Sequence, residues 1–95
     1  MRYRCILEFD NKKFNAYLEV REGRILFLKR RIISRPEPMI SLPLYLIKDI
    51  RIYWRIYYVR IDIIYSYGIY LKKLSVRGDK KLASLFKMLK ISLRG

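Results

Sequence analysis

The chain has 95 residues, with 22 Lys or Arg against 8 Asp or Glu, a net charge of +14, one Cys and no His. One domain is expected, since a domain takes roughly 100–200 residues, and 53% hydrophobic residues exclude a disordered chain. A single Cys cannot close an internal disulfide, and without His there is no Ser-His-Asp triad, no Cys-His pair and no usual zinc-finger ligand set.

Strands come first, because apolar residues recur at every second position. Tyr3, Cys5, Leu7 and Phe9 share one face, and Phe14, Ala16, Leu18 and Val20 share another. With Asn11-Lys12 as a two-residue loop, Phe9 would pair with Phe14, Leu7 with Ala16, Cys5 with Leu18 and Tyr3 with Val20. Every such pair is apolar, and a slip by one residue would break them all. Glu22-Gly23 marks the next turn, with Val20 opposite Ile25 and Leu18 opposite Phe27.

The third strand is expected to run to about Ile33 and to carry Lys29, Arg30 and Arg31. Pro36 and Pro38 end it, since proline cannot donate to a central ladder. Met39–Ser41 reads as a short strand and Pro43 as an interruption. From Ile47 to Trp54 the alternation resumes, with Ile50 and Ile52 on one face and Arg51 and Tyr53 on the other. The run from Tyr53 to Tyr58 holds no Gly, Pro, Asn or Asp, so a long bent strand and a hairpin both fit it. Val59, Ile61 and Ile63 then alternate with Arg60 and Asp62. With Tyr67-Gly68 as the loop, Ile61 would face Leu74, Val59 would face Val76, and Asp62 would face Lys73 on the outer side.

After Gly78 the period changes. Asp79 can cap a helix, and Leu82, Leu85, Phe86, Leu89 and Leu93 make its apolar stripe. The expected fold is mainly β (α+β): a small barrel or sandwich of about seven antiparallel strands, over about residues 2–76, capped by one amphipathic helix over about 79–93. An OB-fold usually inserts its helix mid-chain and an Sm-like barrel begins with one, so neither fits.

In this order of elements the chain resembles the pleckstrin-homology-like superfamily, with its GRAM and bacterial PH-domain families. The run from Ile40 to Ile50, ISLPLYLIKDI, is similar to the I-x-L-P-L-x-x-I-x-x-I pattern common after the third strand of GRAM-like domains. The resemblance implies a single PH-like domain over residues 1–95 that binds lipid, peptide or protein. Two departures bear on the ligand. Leu85 and Phe86 stand where many PH helices carry Trp, and the second strand, Phe14 to Glu19, lacks the basic residues of inositide-binding PH domains.

A charge of +14 favours an acidic protein, nucleic acid or an anionic membrane as partner. A heat-adapted or AT-rich source would give the same bias. The excess is spread as +5, +4 and +5 over residues 1–47, 48–76 and 77–95, so it belongs to the folded surface. The N-terminus lacks the apolar stretch of a secretory signal, and the longest uncharged run is ten residues, against about 20 needed to span a bilayer. A cytoplasmic protein, soluble or peripheral, is expected.

Two constellations are candidates for a binding surface. Lys80, Lys87, Lys90 and Arg94 fall in one helical sector of about 80°, beside Ala83 and Ser84. They make a basic ridge or simply a solvated face, and basic residues late in a helix also complement its dipole. Arg51, Tyr53, Trp54, Arg55, Tyr57 and Tyr58 interleave Arg with aromatics, as base stacking or a protein interface requires. The plainer alternative is core and sheet packing. Lys29, Arg30, Arg31 and Arg35 could equally protect a strand edge.

Cys5 falls on the core face, as a small hydrophobe. The isolated glycines form no phosphate loop, and paired carboxylates suited to catalysis are nearly absent. No catalytic residue, metal or cofactor is expected. The reading is a non-catalytic module for an acidic protein partner, with nucleic-acid binding as the alternative and peripheral binding to anionic membrane as a second.

Whatever its function, so basic a chain should bind oligonucleotides weakly and without sequence preference. A gel shift at ~50 mM salt that weakens linearly in log K against log salt is the expected result, and no shift with any oligonucleotide would refute it.

Overall fold

The computed structural model describes residues 1–94, with side chains described through residue 93. Seven strands lie in chain order: β1 Tyr3–Phe9, β2 Lys12–Arg21, β3 Arg24–Lys29, β4 Glu37–Pro43, β5 Ile47–Trp54, β6 Val59–Tyr67 and β7 Tyr70–Gly78. A 3-10 turn, Leu44–Leu46, joins β4 to β5, and one helix, α1 Lys81–Arg94, follows β7.

All the strands belong to one antiparallel sheet, in the order β4-β3-β2-β1-β7-β6-β5. Leu42 of β4 and Ile50 of β5, from the two edges, sit in the same buried cluster as Leu7, Leu18, Ile61 and Val76. Seven strands laid flat would hold those edges about 29 Å apart at ~4.8 Å per strand, so the sheet curls around its core. The helix closes the curl. Leu82, Ala83 and Phe86 are fully buried, and Asp79 caps the first turn, its Oδ1 accepting from Lys81 N at 2.8 Å.

The β2–β3 register is as expected, with Val20 opposite Ile25 and Leu18 opposite Phe27. Two other hairpins are slipped by two residues from expectation. In the first, Leu7 faces Phe14, Cys5 faces Ala16 and Tyr3 faces Leu18. The loop is Asp10-Asn11, at φ 51° and 61°, instead of Asn11-Lys12. Asp and Asn tolerate the left-handed conformation at both positions of such a turn, whereas Lys does so poorly. In the β6–β7 hairpin Gly68 takes φ 62° and the loop is Gly68-Ile69. Ile61 therefore faces Val76 and Val59 faces Gly78, while Asp62 faces Ser75 in place of Lys73.

The other differences are local. β3 stops at Lys29, and Arg30 N donates one last bond to Asn15 O at 2.9 Å. Ile32 and Ile33 then stand wholly exposed, because residues 30–36 are spent crossing to β4. Pro38 is tolerated because β4 is an edge strand and the ladder is irregular beside it. The undecided segment after Tyr53 is a hairpin: Trp54 pairs with Val59, and Arg55 N donates to Tyr58 O at 3.0 Å. A bulge at the start of β5 lets Ile47 and Ile50, three apart, both point inward. On the helix, Ala83 joins the buried stripe whereas Leu93 is 39% exposed.

Gly78 marks the point where sheet and helix touch. A Cβ there would collide with Leu82 Cδ1 and lie 3.2 Å from the Arg4 carbonyl oxygen. Leu82 is fully buried and cannot swing away. Gly78→Ala should therefore destabilise the fold by about 1–3 kcal/mol, read as a lower urea midpoint at unchanged slope. An unchanged midpoint would mean that the helix is free to shift.

Candidate binding face

The outer face of β1, β7, β6 and β5 carries two polar rows. One runs Asn15, Ile6, Arg77, Arg60, Tyr53, and the other Lys13, Glu8, Ser75, Asp62, Arg51. Each row takes one residue per strand from the outward half of the alternation. In the first row Arg60 stands directly opposite Arg77. Like charges so placed repel, and a sheet keeps them only with neighbouring counter-charge.

Asp62 supplies part of that counter-charge. It is only 5% exposed, although it lies on the outer face. Its Oδ1 accepts from Ser75 Oγ at 2.7 Å and from Arg60 Nε at 3.1 Å. Arg77 is served less well, with Glu8 Oε2 at 3.8 Å from its Nη2. Asp49 accepts from Arg51 Nε at 3.1 Å and from its neighbour's N–H, Ile50 N, at 2.9 Å. The Arg51 bond, with the nearby Lys90 adding to it, holds the Asp49 carboxyl below the usual range. A carboxyl lowered on folding stabilises the native state at neutral pH, and that contribution is lost as pH falls through the lowered value.

Tyrosine rings hold the guanidiniums. Arg60 lies over Tyr53 at 5.9 Å and Arg55 over the same ring at 5.9 Å. Arg77 lies over Tyr58 at 5.7 Å, and Arg30 over Tyr17 at 5.8 Å. Such contacts are worth about 0.5–1 kcal/mol at exposed sites, and they fix where each fork points. Two hollows lie on the face. One, of about 300 Å³, is lined by Arg51, Tyr53, Arg55, Arg60, Asp62 and Lys73 among others. The other, of about 430 Å³, includes Glu8, Arg60, Lys73, Ser75 and Arg77. Arg60 and Lys73 line both, so the hollows adjoin.

The expected site residues divide between two surfaces. Arg51 and Arg55 belong to the outer face. Trp54, 50% exposed, turns toward the helix, and Lys87 Nζ lies 5.0 Å from its ring. Lys90 is half-buried near Asp49, so part of the basic ridge is clasped against the β5 edge. Lys80 is exposed just before the helix, and Tyr57 stands 91% exposed at the β5–β6 turn. The side chain of Arg94 lies outside the described residues. Ala83, expected beside the ridge, is buried instead.

Arg60, Lys73, Arg77 and Tyr17 were not singled out by the sequence, whereas Tyr53 and Tyr58 were, in the run with Arg51 and Arg55. Arg31 pairs with Glu37, and Lys29 lies over Phe14 at 5.8 Å, so the basic stretch after β3 is largely engaged. The segment from Met39 to Leu46, the expected apolar loop for a membrane, keeps its apolar side chains half-buried or buried apart from Tyr45. Among the described residues no cluster of three or more Cys, Asp or Glu could hold a metal, and no helix is long and apolar enough to cross a membrane. The sequence matches no family model and no curated protein.

Removing the Asp62 carboxylate should leave Arg60 facing Arg77 with little to offset it. Asp62→Ala is expected to cost about 1.5–3 kcal/mol of stability, and the loss should shrink in ~1 M salt, where charges are screened beyond about 3 Å. A loss that does not change with salt would show that Asp62 acts through its hydrogen bonds and packing and not through its charge.

Proposed function

We propose that the chain is a non-catalytic PH-like binding module that docks an acidic protein on the outer face of β1, β7, β6 and β5. The PH-like reading draws on the order of elements, seven antiparallel strands and then one helix. The docking reading is carried by one observation: Arg60 and Arg77 face each other in the middle of the sheet with incomplete neutralisation. A sheet loses stability by this arrangement, and carboxylates of a partner would restore it.

The stacking of the guanidiniums argues against base stacking on this face. Base stacking needs free ring faces. On this face Tyr53, Tyr17 and Tyr58 already have arginines over them. What they offer is a set of held forks, which suit bidentate contact with carboxylates. The nucleic-acid reading keeps one specific support at the β5–β6 turn, the exposed ring of Tyr57 and the half-exposed ring of Trp54, which already carries Lys87.

The two readings are tested with the same variants. Poly-glutamate and a single-stranded oligonucleotide are titrated against the intact chain by fluorescence anisotropy. Arg55→Ala/Lys73→Ala should weaken poly-glutamate binding about tenfold, as the loss of about 1.4 kcal/mol would, while Trp54→Ala/Tyr57→Ala leaves it unchanged. Tight oligonucleotide binding lost only in the aromatic variant would instead establish the nucleic-acid reading. In native extract, a protein partner should stay bound after nuclease treatment.

A further inference from the structure

Beside the docking face, where β1 parts from β7, the outer surface opens into a third cavity of about 320 Å³. Arg4, Arg30 and Arg77 line it together with Ile6 and Tyr58. Three positive charges thus surround one small volume.

Two of these arginines are left with an unmet need. Arg30 Nε and Arg77 Nε are shut off from solvent and have no hydrogen-bond partner. A buried donor without an acceptor has given up its water and gained nothing in return. Tyr17 and Tyr58 lie against the two guanidiniums, at 5.8 and 5.7 Å. Among the described residues no carboxylate forms an ion pair with Arg4 or Arg30, and Arg77 has only Glu8 at 3.8 Å. Cys5, also on the cavity wall, does not supply the charge. Burial pushes its thiol up to about 12, outweighing the opposing pull of Arg30, so it stays protonated at neutral pH.

An anion entering from outside would supply the acceptor and answer the three positive charges at once. A carboxylate has two oxygens to offer three guanidiniums, whereas a phosphoryl group has three. The wall formed by Ile6 and Tyr58 gives a carbon substituent somewhere to lie. We propose that this cavity binds a small phosphate monoester, its phosphoryl oxygens taken by Arg4, Arg30 and Arg77 and its carbon part laid on Ile6 and Tyr58. The site goes beyond the docking reading: it shares Arg77 with that face but draws on Arg4 and Arg30, while Arg51, Arg55 and Lys73 line the neighbouring hollow and not this one.

The test follows the arginine side-chain N–H resonances of the full chain by NMR during titration with phenyl phosphate, inorganic phosphate and benzoate. With phenyl phosphate the Nε–H signals of Arg30 and Arg77 should move and saturate, while those of Arg51 and Arg55 stay in place. Phenyl phosphate should bind at least about tenfold tighter than either other probe. Arg30→Lys and Arg77→Lys keep the charge but lose the fork, and each should weaken binding about tenfold or more. If Arg77→Lys unfolds the chain, Arg30→Lys decides, because Arg30 lies beyond the end of β3. The proposal fails if nothing saturates, or if Arg51 and Arg55 move equally, which would mark a general attraction to the basic surface. It fails too if inorganic phosphate or benzoate binds as well as phenyl phosphate.

Discussion

Four residue pairs hold the two halves of this fold together. β1 meets β7 only over Cys5–Glu8 against Ser75–Gly78. On one side of that seam lie the pairings of β1 to β4, and on the other those of β5 to β7. Neither half could bury its inner face alone. The seam makes one core of Leu7, Leu18, Ile61 and Val76, in which each fully buried aliphatic side chain contributes about 1.5–3 kcal/mol. Leu82 of the helix packs against the last residue of the seam, Gly78, and locks it. The same seam sets the outer rows in line, bringing Glu8 beside Ser75 and Ile6 beside Arg77. Because it stops at Cys5, Arg4 is left without a β7 partner, and the cavity around Arg4, Arg30 and Arg77 opens there.

Much of this was legible in the alternation of the sequence. The inward sets of β1, β2, β6 and β7 and most of the helical stripe follow from period, and the cap at Asp79 from its carboxylate. What period cannot see is a slip by an even number of residues. Moving the β1–β2 ladder by two exchanges Cys5 against Leu18 for Cys5 against Ala16, and the apolar pattern is equally satisfied. Turn chemistry is the signal that separates them. Asp10 and Asn11 both accept positive φ, and this selects the observed loop.

The same slip hid the centre of the candidate face. In the register with Tyr67-Gly68 as the loop, Arg60 would sit opposite Ser75 and look like an ordinary surface residue. In the true register it faces Arg77, and Asp62 takes Ser75 as its partner. Arg51 and Arg55 were legible because they are interleaved with aromatics in one short run. Arg60 and Arg77 stand far apart in the chain and become a feature only when the hairpin closes. Asp62, alternating with Ile61 and Ile63, read as the outer-side partner of Lys73. Its burial comes from neighbours on three strands, which no local pattern contains.

The two basic surfaces also differ in how their charge is held, and this gives them different chemistry. On the helix, the lysines are compact charges on flexible stems, and Lys87 rests on Trp54 without a directional bond. On the sheet, Arg30, Arg55, Arg60 and Arg77 each lie against a tyrosine ring, Arg60 is held further by Asp62, and Arg51 is held by Asp49. A flexible ammonium loses its freedom when it meets a ligand, so much of its attraction is offset. A guanidinium already held by its ring loses little more, and its donors meet oxygen acceptors at set angles. The net charge of +14 is therefore a poor guide to where this protein binds. On the proposed reading, the lysine ridge contributes mainly to long-range attraction and selectivity comes from the sheet, where fewer charges are better placed.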